Sequence, residues 1–222
     1  MSDGFSVLST GVFSRSGRSE IPERAFYGIL SGSLLWGLGA TAFVADQVIK
    51  ANYHPGYLAI IFLGLVIPII GVVISIKSDN AIISFLGYNM IVFPFGAIIG
   101  PEVNRYSPEI VRNVFGMTAA ITIIMGSAGI LFSHFFSKIG LVLFFSLFGL
   151  LIIRIAQIFI PGLDLSLFDY IGAGIFSLYI GYDMWRASEV PRTADNAIDI
   201  SVNLYLDIIN LFLNLLRIFG KK

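Results

Sequence analysis

Asn203–Gly220 reads NLYLDIINLFLNLLRIFG, apolar apart from Asn203, Asp207, Asn210, Asn214 and Arg217. Together with Asn196, these polar positions are separated by seven, four, three, four and three residues, the spacings of one helical face. Turned toward lipid, such a stripe would be expensive, since an aspartate at mid-bilayer alone costs about 2.5–3.5 kcal/mol on the insertion scale. The stripe therefore faces protein or water. The simplest arrangement places this helix at the centre of a bundle.

The rest of the chain fits that bundle. Of its 222 residues 56% are hydrophobic and 13% charged, about half the charged fraction of a soluble domain. Apolar runs long enough to cross a bilayer recur at roughly 25–49, 57–76, 80–102, 109–132, 138–160, 168–188 and 198–219. The separators KANYHPG, KSDN, PEVNRYSPE, SHFFSK, PGLDLS and SEVPRTADN carry helix-punctuating residues. Links this short leave no room for a soluble domain. The expectation is an all-α membrane protein: a polar tail over 1–24, then a single domain of seven transmembrane helices over 25–222, the seventh wrapped by the other six. The tail lacks a signal-peptide pattern, so the first helix is expected to direct insertion.

Fourteen basic and fourteen acidic residues cancel, which points away from a nucleic-acid partner. Without cysteine there is no thiolate chemistry or disulfide. The loop cations favour a cytoplasmic N-terminus by seven against six, or seven against three without Arg217, Lys221 and Lys222. Gly28 and Gly32, Gly37 and Gly39, and Gly172 and Gly174 suggest close helix packing. Pro68 and Pro94, inside the second and third spans, suggest kinks.

A second acid, Asp183, lies in the preceding span between Tyr182 and Met184, with Tyr179 one turn earlier. Measured from the shared turn, Asp183 is about 7 Å deep and Asp207 about 9 Å, provided TADNAIDIS stays largely among the headgroups. The two acids can thus share a level. Carboxyls held close in a low dielectric do not both ionise cheaply, so the pair can share a proton and sense pH.

YIGYDMW (Tyr179–Trp185) followed by NLYLDIINLFLNLLRIFG resembles the paired C-terminal signature of the Bax inhibitor-1 family, the transmembrane Bax inhibitor motif-containing proteins, in a bacterial-type form. FGAIIGPEVNRYSPEIVRNVFGMTAAITIIMGSAG (Phe95–Gly129) is similar to that family's third-to-fourth helix segment, and the likeness extends from about Gly64 onward. The resemblance implies seven helices wrapped on the last, and a calcium leak governed by two aspartates, which map onto Asp183 and Asp207. It also implies a basic partner on the second helix, for which Lys77 is the nearest candidate. Arg186 lies on the same side.

The expected function is thus a pH-sensitive calcium leak of a bacterial inner membrane, without cofactor and not an enzyme. Asp183 and Asp207 form the gate and bind Ca²⁺ transiently. Asn203, Asn210, Asn214, Tyr179 and Tyr182 line the path. Ca²⁺ and the bilayer are the expected partners; the sequence names no protein partner. Arg154 is expected at the opposite face, snorkelling or salt-bridged near the outer mouth. Asp46, Glu102, Glu109, Asp164 and Asp169 read as solvated loop acids rather than a cation-gathering vestibule. A non-conducting interaction protein and an intramembrane aspartyl hydrolase stay open as alternatives. A zinc hydrolase is disfavoured because His54 and His134 fall in expected loops, and a retinal protein because no lysine lies within the last helix.

Overall fold

A computed structural model describes residues 20–160 and 166–220. Among them are seven long helices and no strand: α1 (Glu23–Lys50), α2 (Tyr57–Lys77), α3 (Ala81–Val103), α4 (Pro108–Leu131), α5 (Ser133–Phe159), α6 (Ser166–Glu189) and α7 (Ala194–Phe219). Most of the expected tail, with Arg15 and Arg18, lies outside the described residues, as do Asp164, Lys221 and Lys222. Local chemistry fixes several ends. Asn80 caps α3 through Ile82 N at 2.9 Å, and Ser107 caps α4 with Pro108 next in line. Asn52, at φ 49°, takes the left-handed conformation in the α1–α2 turn.

Six of the seven helices are long and apolar enough to cross a membrane, all but α6. That helix has the length, at 24 residues, but carries Asp169, Asp183, Arg186 and Glu189. Outward faces are apolar, as at Leu35, Phe43, Leu58, Phe115, Ile123 and Leu131, while Ser75, Ser84, Asp183, Asp195, Asp199 and Asp207 are buried. This reverses the pattern of a water-soluble domain. In α7, 56% of the most apolar window is buried, against 17–44% in the other five candidates.

Two boundaries correct the sequence reading. SHFFSK is not a loop: α4 and α5 are separated only by Phe132, so His134 sits in the first turn of α5. TADNAIDIS is not an extension of the loop either, because α7 begins at Ala194 and buries Asp195, Asn196, Asp199 and Ser201 against the rest of the protein.

The chain divides into two compact units. The first holds the described residues up to Arg105 with Glu189–Tyr205; the second holds Tyr106–Ser188 and α7 from Leu206 onward. In the first unit, α2 contains a five-residue π-helical turn, Phe62–Val66, just ahead of Pro68. A proline here has no N–H to donate and crowds the preceding turn, and widening that turn accommodates it. α2 and α3 touch backbone to backbone: a Cβ on Gly71 would lie 2.5 Å from the Gly87 carbonyl, and one on Gly87 2.6 Å from that of Gly71. The Gly87→Ala variant is therefore expected to lose about 1–3 kcal/mol, read as a lower thermal midpoint in detergent; an unchanged midpoint would refute this packing. α3 meets α1 through Gly96 and Gly100, against Thr41 and Ala45. The glycines expected to pack do so only in part. Gly37 abuts Tyr88, whereas Cβ atoms on Gly28, Gly32 and Gly39 would meet nothing within 4 Å. The G-x-x-x-G spacing of α1 thus makes no close contact among the described residues.

In the second unit, α4 and α6 cross at Gly129 and Gly181, where a Cβ on Gly129 would overlap the Gly181 carbonyl. A Cβ on Gly172 of α6 would lie 2.7 Å from Asn214 Oδ1 of α7, while one on Gly174 would meet nothing within 4 Å.

Candidate functional site

Asp183 and Asp207 both lie in the second unit, on α6 and α7. Each is buried, at 3% and 8% exposure, and their carboxyls are within hydrogen-bonding reach of each other. The close approach arises from the helix geometry. α6 is drawn in by the Gly129–Gly181 crossing two residues before Asp183, and Phe136 of α5 packs on the same glycine. No N–H or hydroxyl among the described residues reaches Asp207 Oδ2. A buried carboxylate oxygen without a donor is costly.

Arg186 is the cation at this site, its Nη1 3.2 Å from Asp183 Oδ1. Its guanidinium also lies 5.8 Å from the Tyr182 ring centroid, a cation–π distance. The Tyr182 ring meets Tyr179 edge-on, with centroids 6.4 Å apart, and its hydroxyl lies where a Cβ on Gly140 of α5 would be, 2.7 Å away. Lys77, the other basic candidate, is exposed at the end of α2.

Residues 23–222 match the model for "Inhibitor of apoptosis-promoting Bax1". The chain belongs to the Bax inhibitor-1 family. A Borreliella burgdorferi relative, described only as an uncharacterised protein, is 29% identical over 88% of this chain and 90% of its own length. The inner membrane protein YbhL of Escherichia coli is 26% identical over 86% of this chain and 89% of its own. An uncharacterised membrane protein of Streptococcus pyogenes matches at 29% over 53% of this chain and 54% of its own. The chain is a multi-pass membrane protein of this family, and these relatives' names carry no enzyme activity.

For this family member, the asparagine stripe divides. Asn210 and Asn214 donate to the backbone one turn back, at 2.8 and 2.7 Å, and Asn196 donates to Pro191 O at 2.8 Å. Asn203 is half-buried. Asn214 does more, because its Oδ1 accepts from Arg154 Nη2 at 3.1 Å. Arg154 is also 2.7 Å from Asp169, so it forms a salt bridge rather than snorkelling. Asp169 is thereby a buried α6 residue, not a loop acid, and Asp46 and Glu102 are paired with Lys50 and Arg105 at 2.7 and 3.0 Å.

Sequence reasoning missed Asp195 and Asp199. In the first unit, Asp195 accepts from Ser84 of α3 at 2.7 Å, and Asp199 accepts from Ser75 of α2. Their i,i+4 spacing was visible, but they were assigned to the headgroups because the start of α7 was placed too late. Ser75→Ala and Ser84→Ala are each expected to cost about 1–3 kcal/mol, measured by thermal unfolding in detergent. A neutral result for both would show that these serines do not anchor α7. Among the described residues, no group of three or more His, Cys, Asp or Glu can hold a metal ion.

Proposed function

We propose that this protein is a pH-sensitive calcium leak of the bacterial inner membrane, gated by Asp183 and Asp207. The observation that carries the proposal is that α6 and α7 bring two buried carboxyls together, with one oxygen lacking any donor among the described residues. In this reading all seven helices span, the N-terminus is cytoplasmic, and α7 is wrapped by the others. The deep burial of α7 supports that last point.

The proton shared by the pair bridges α6 to α7 and closes the path. Its loss leaves adjacent like charges in a low dielectric, which separates the helices or attracts a cation between them. Carboxylate oxygens are the hard ligands Ca²⁺ prefers, and two are too few to bind it tightly, as conduction requires. Arg186 moves with Asp183 on the same helix and offsets part of its charge. Lys77, at the end of α2, is the second basic candidate. Asn203, Asn210 and Asn214, together with Tyr179 and Tyr182, line the route beside the pair. No cofactor takes part.

The test is Ca²⁺ flux into proteoliposomes at a series of pH values, wild type beside Asp183→Asn and Asp207→Asn. Wild-type flux is expected to rise with pH. Protein that passes no Ca²⁺ at any pH would instead be a non-conducting interaction protein, and cleavage of a membrane substrate would mark an aspartyl hydrolase.

A further inference from the structure

Arg154 holds a permanent charge inside the second unit, and its surroundings resemble an ion site. Its Nη2 lies between two oxygens, Asp169 Oδ1 of α6 at 2.7 Å and Asn214 Oδ1 of α7 at 3.1 Å. Both residues are buried, at 3% exposure each. The orientation of the amide is fixed, since Asn214 Nδ2 donates to Asn210 O at 2.7 Å, which turns the oxygen toward the arginine. Room for Asn214 comes from Gly172, where any Cβ would lie 2.7 Å from that same oxygen. Arg217 also approaches Asp169 Oδ1, at 4.0 Å. An ionised carboxylate and an amide oxygen on facing helices are hard donors of the kind that hold Ca²⁺. Here α5 supplies the cation.

We propose that Asp169 and Asn214 form a second cation seat on the α6–α7 hairpin, and that Arg154 occupies it as a tethered plug. By the helical rise, Asn214 lies roughly 10 Å along α7 from Asp207 and Asp169 roughly 21 Å along α6 from Asp183. This inference rests on the calcium path proposed above. A Ca²⁺ ion moving along that seam reaches the seat and must displace the guanidinium, which lowers conductance whatever the state of the aspartate pair. A guanidinium does not titrate in a protein, so the plug sets the size of the leak while the pair sets its pH dependence.

The test is Ca²⁺ flux in proteoliposomes carrying full-length Arg154→Gln, with and without methylguanidinium. Flux is expected to rise several-fold at every pH, its midpoint unchanged, and millimolar methylguanidinium is expected to restore the block. A merely structural arginine would not give a guanidinium-sensitive leak. Flux at or below wild type, or a rise that methylguanidinium does not reverse, overturns the plug. Should Arg154→Gln fail to purify as a folded species, Asn214→Ala, which removes one oxygen and keeps the Arg154–Asp169 pair, decides in the same way. Raised flux supports the plug, and unchanged flux overturns it. If the Asp183 and Asp207 variants keep wild-type pH dependence while Arg154→Gln opens the leak, the pair assignment fails and the plug stands. The reverse pattern removes the plug alone.

Discussion

In Asp207→Asn and Asp183→Asn proteoliposomes, Ca²⁺ flux is expected to be low and independent of pH. The reasoning concerns one proton. In the gate proposed above, the bridge between the buried carboxyls exists only while a proton lies between them, since no donor among the described residues reaches Asp207 Oδ2. An asparagine amide carries an N–H at all pH values. In Asp207→Asn it can donate to Asp183, whose other partner Arg186 stays at 3.2 Å. In Asp183→Asn the amide can donate to Asp207. Each variant therefore imitates the protonated, closed pair, and neither retains two acids that compete for one proton. Full wild-type pH dependence in both would remove Asp183 and Asp207 from the gate.

Gly129→Val is expected to be the most disruptive single substitution in the second unit. At most glycines an added methyl meets a side chain that can turn aside. At Gly129 the obstacle is the main chain of α6, the carbonyl, carbonyl carbon and Cα of Gly181, so α4 and α6 can only separate. Overpacking commonly costs 1–3 kcal/mol; with no rotamer to absorb it, a loss of about 3 kcal/mol or more is expected as a lower melting temperature or loss of monodisperse protein. Any folded fraction is expected to show weakened pH dependence, since Gly181 positions the turn that carries Asp183. Gly116→Ala on the same helix, where nothing lies within 4 Å, is the control and is expected to be neutral or slightly stabilising. Equal melting of the two variants would refute the α4–α6 contact.

What the sequence revealed depended on whether a cost could be read from one helix alone. Asp183 and Asp207 were legible because a carboxyl in an apolar run is expensive, and two such runs joined by a short turn place them at similar depth. Arg154 was legible as a snorkelling or salt-bridged cation, but its partner was not, because Asp169 looks like a loop residue beside PGLDLS. Asp195 and Asp199 were lost for the opposite reason. Their surroundings looked polar enough to stay wet, and the serines of α2 and α3 that bond them in the interior lie more than a hundred positions away in the chain. The glycines misled through symmetry: spacing singles out Gly28 and Gly32 as readily as Gly37 and Gly172, which do meet neighbours, yet spacing does not say which way a face turns. The π-helical turn ahead of Pro68 had no signal beyond the proline.

The central claim concerns a proton held between two particular side chains, and infrared titration of the protein in lipid observes it directly. The carbonyl stretch of a protonated carboxyl should be present at acid pH, disappear as pH rises over the range in which Ca²⁺ flux increases, and be missing from both Asp183→Asn and Asp207→Asn. A band that persists in either variant, or that titrates over a range unrelated to the flux, would contradict a gate built on this pair.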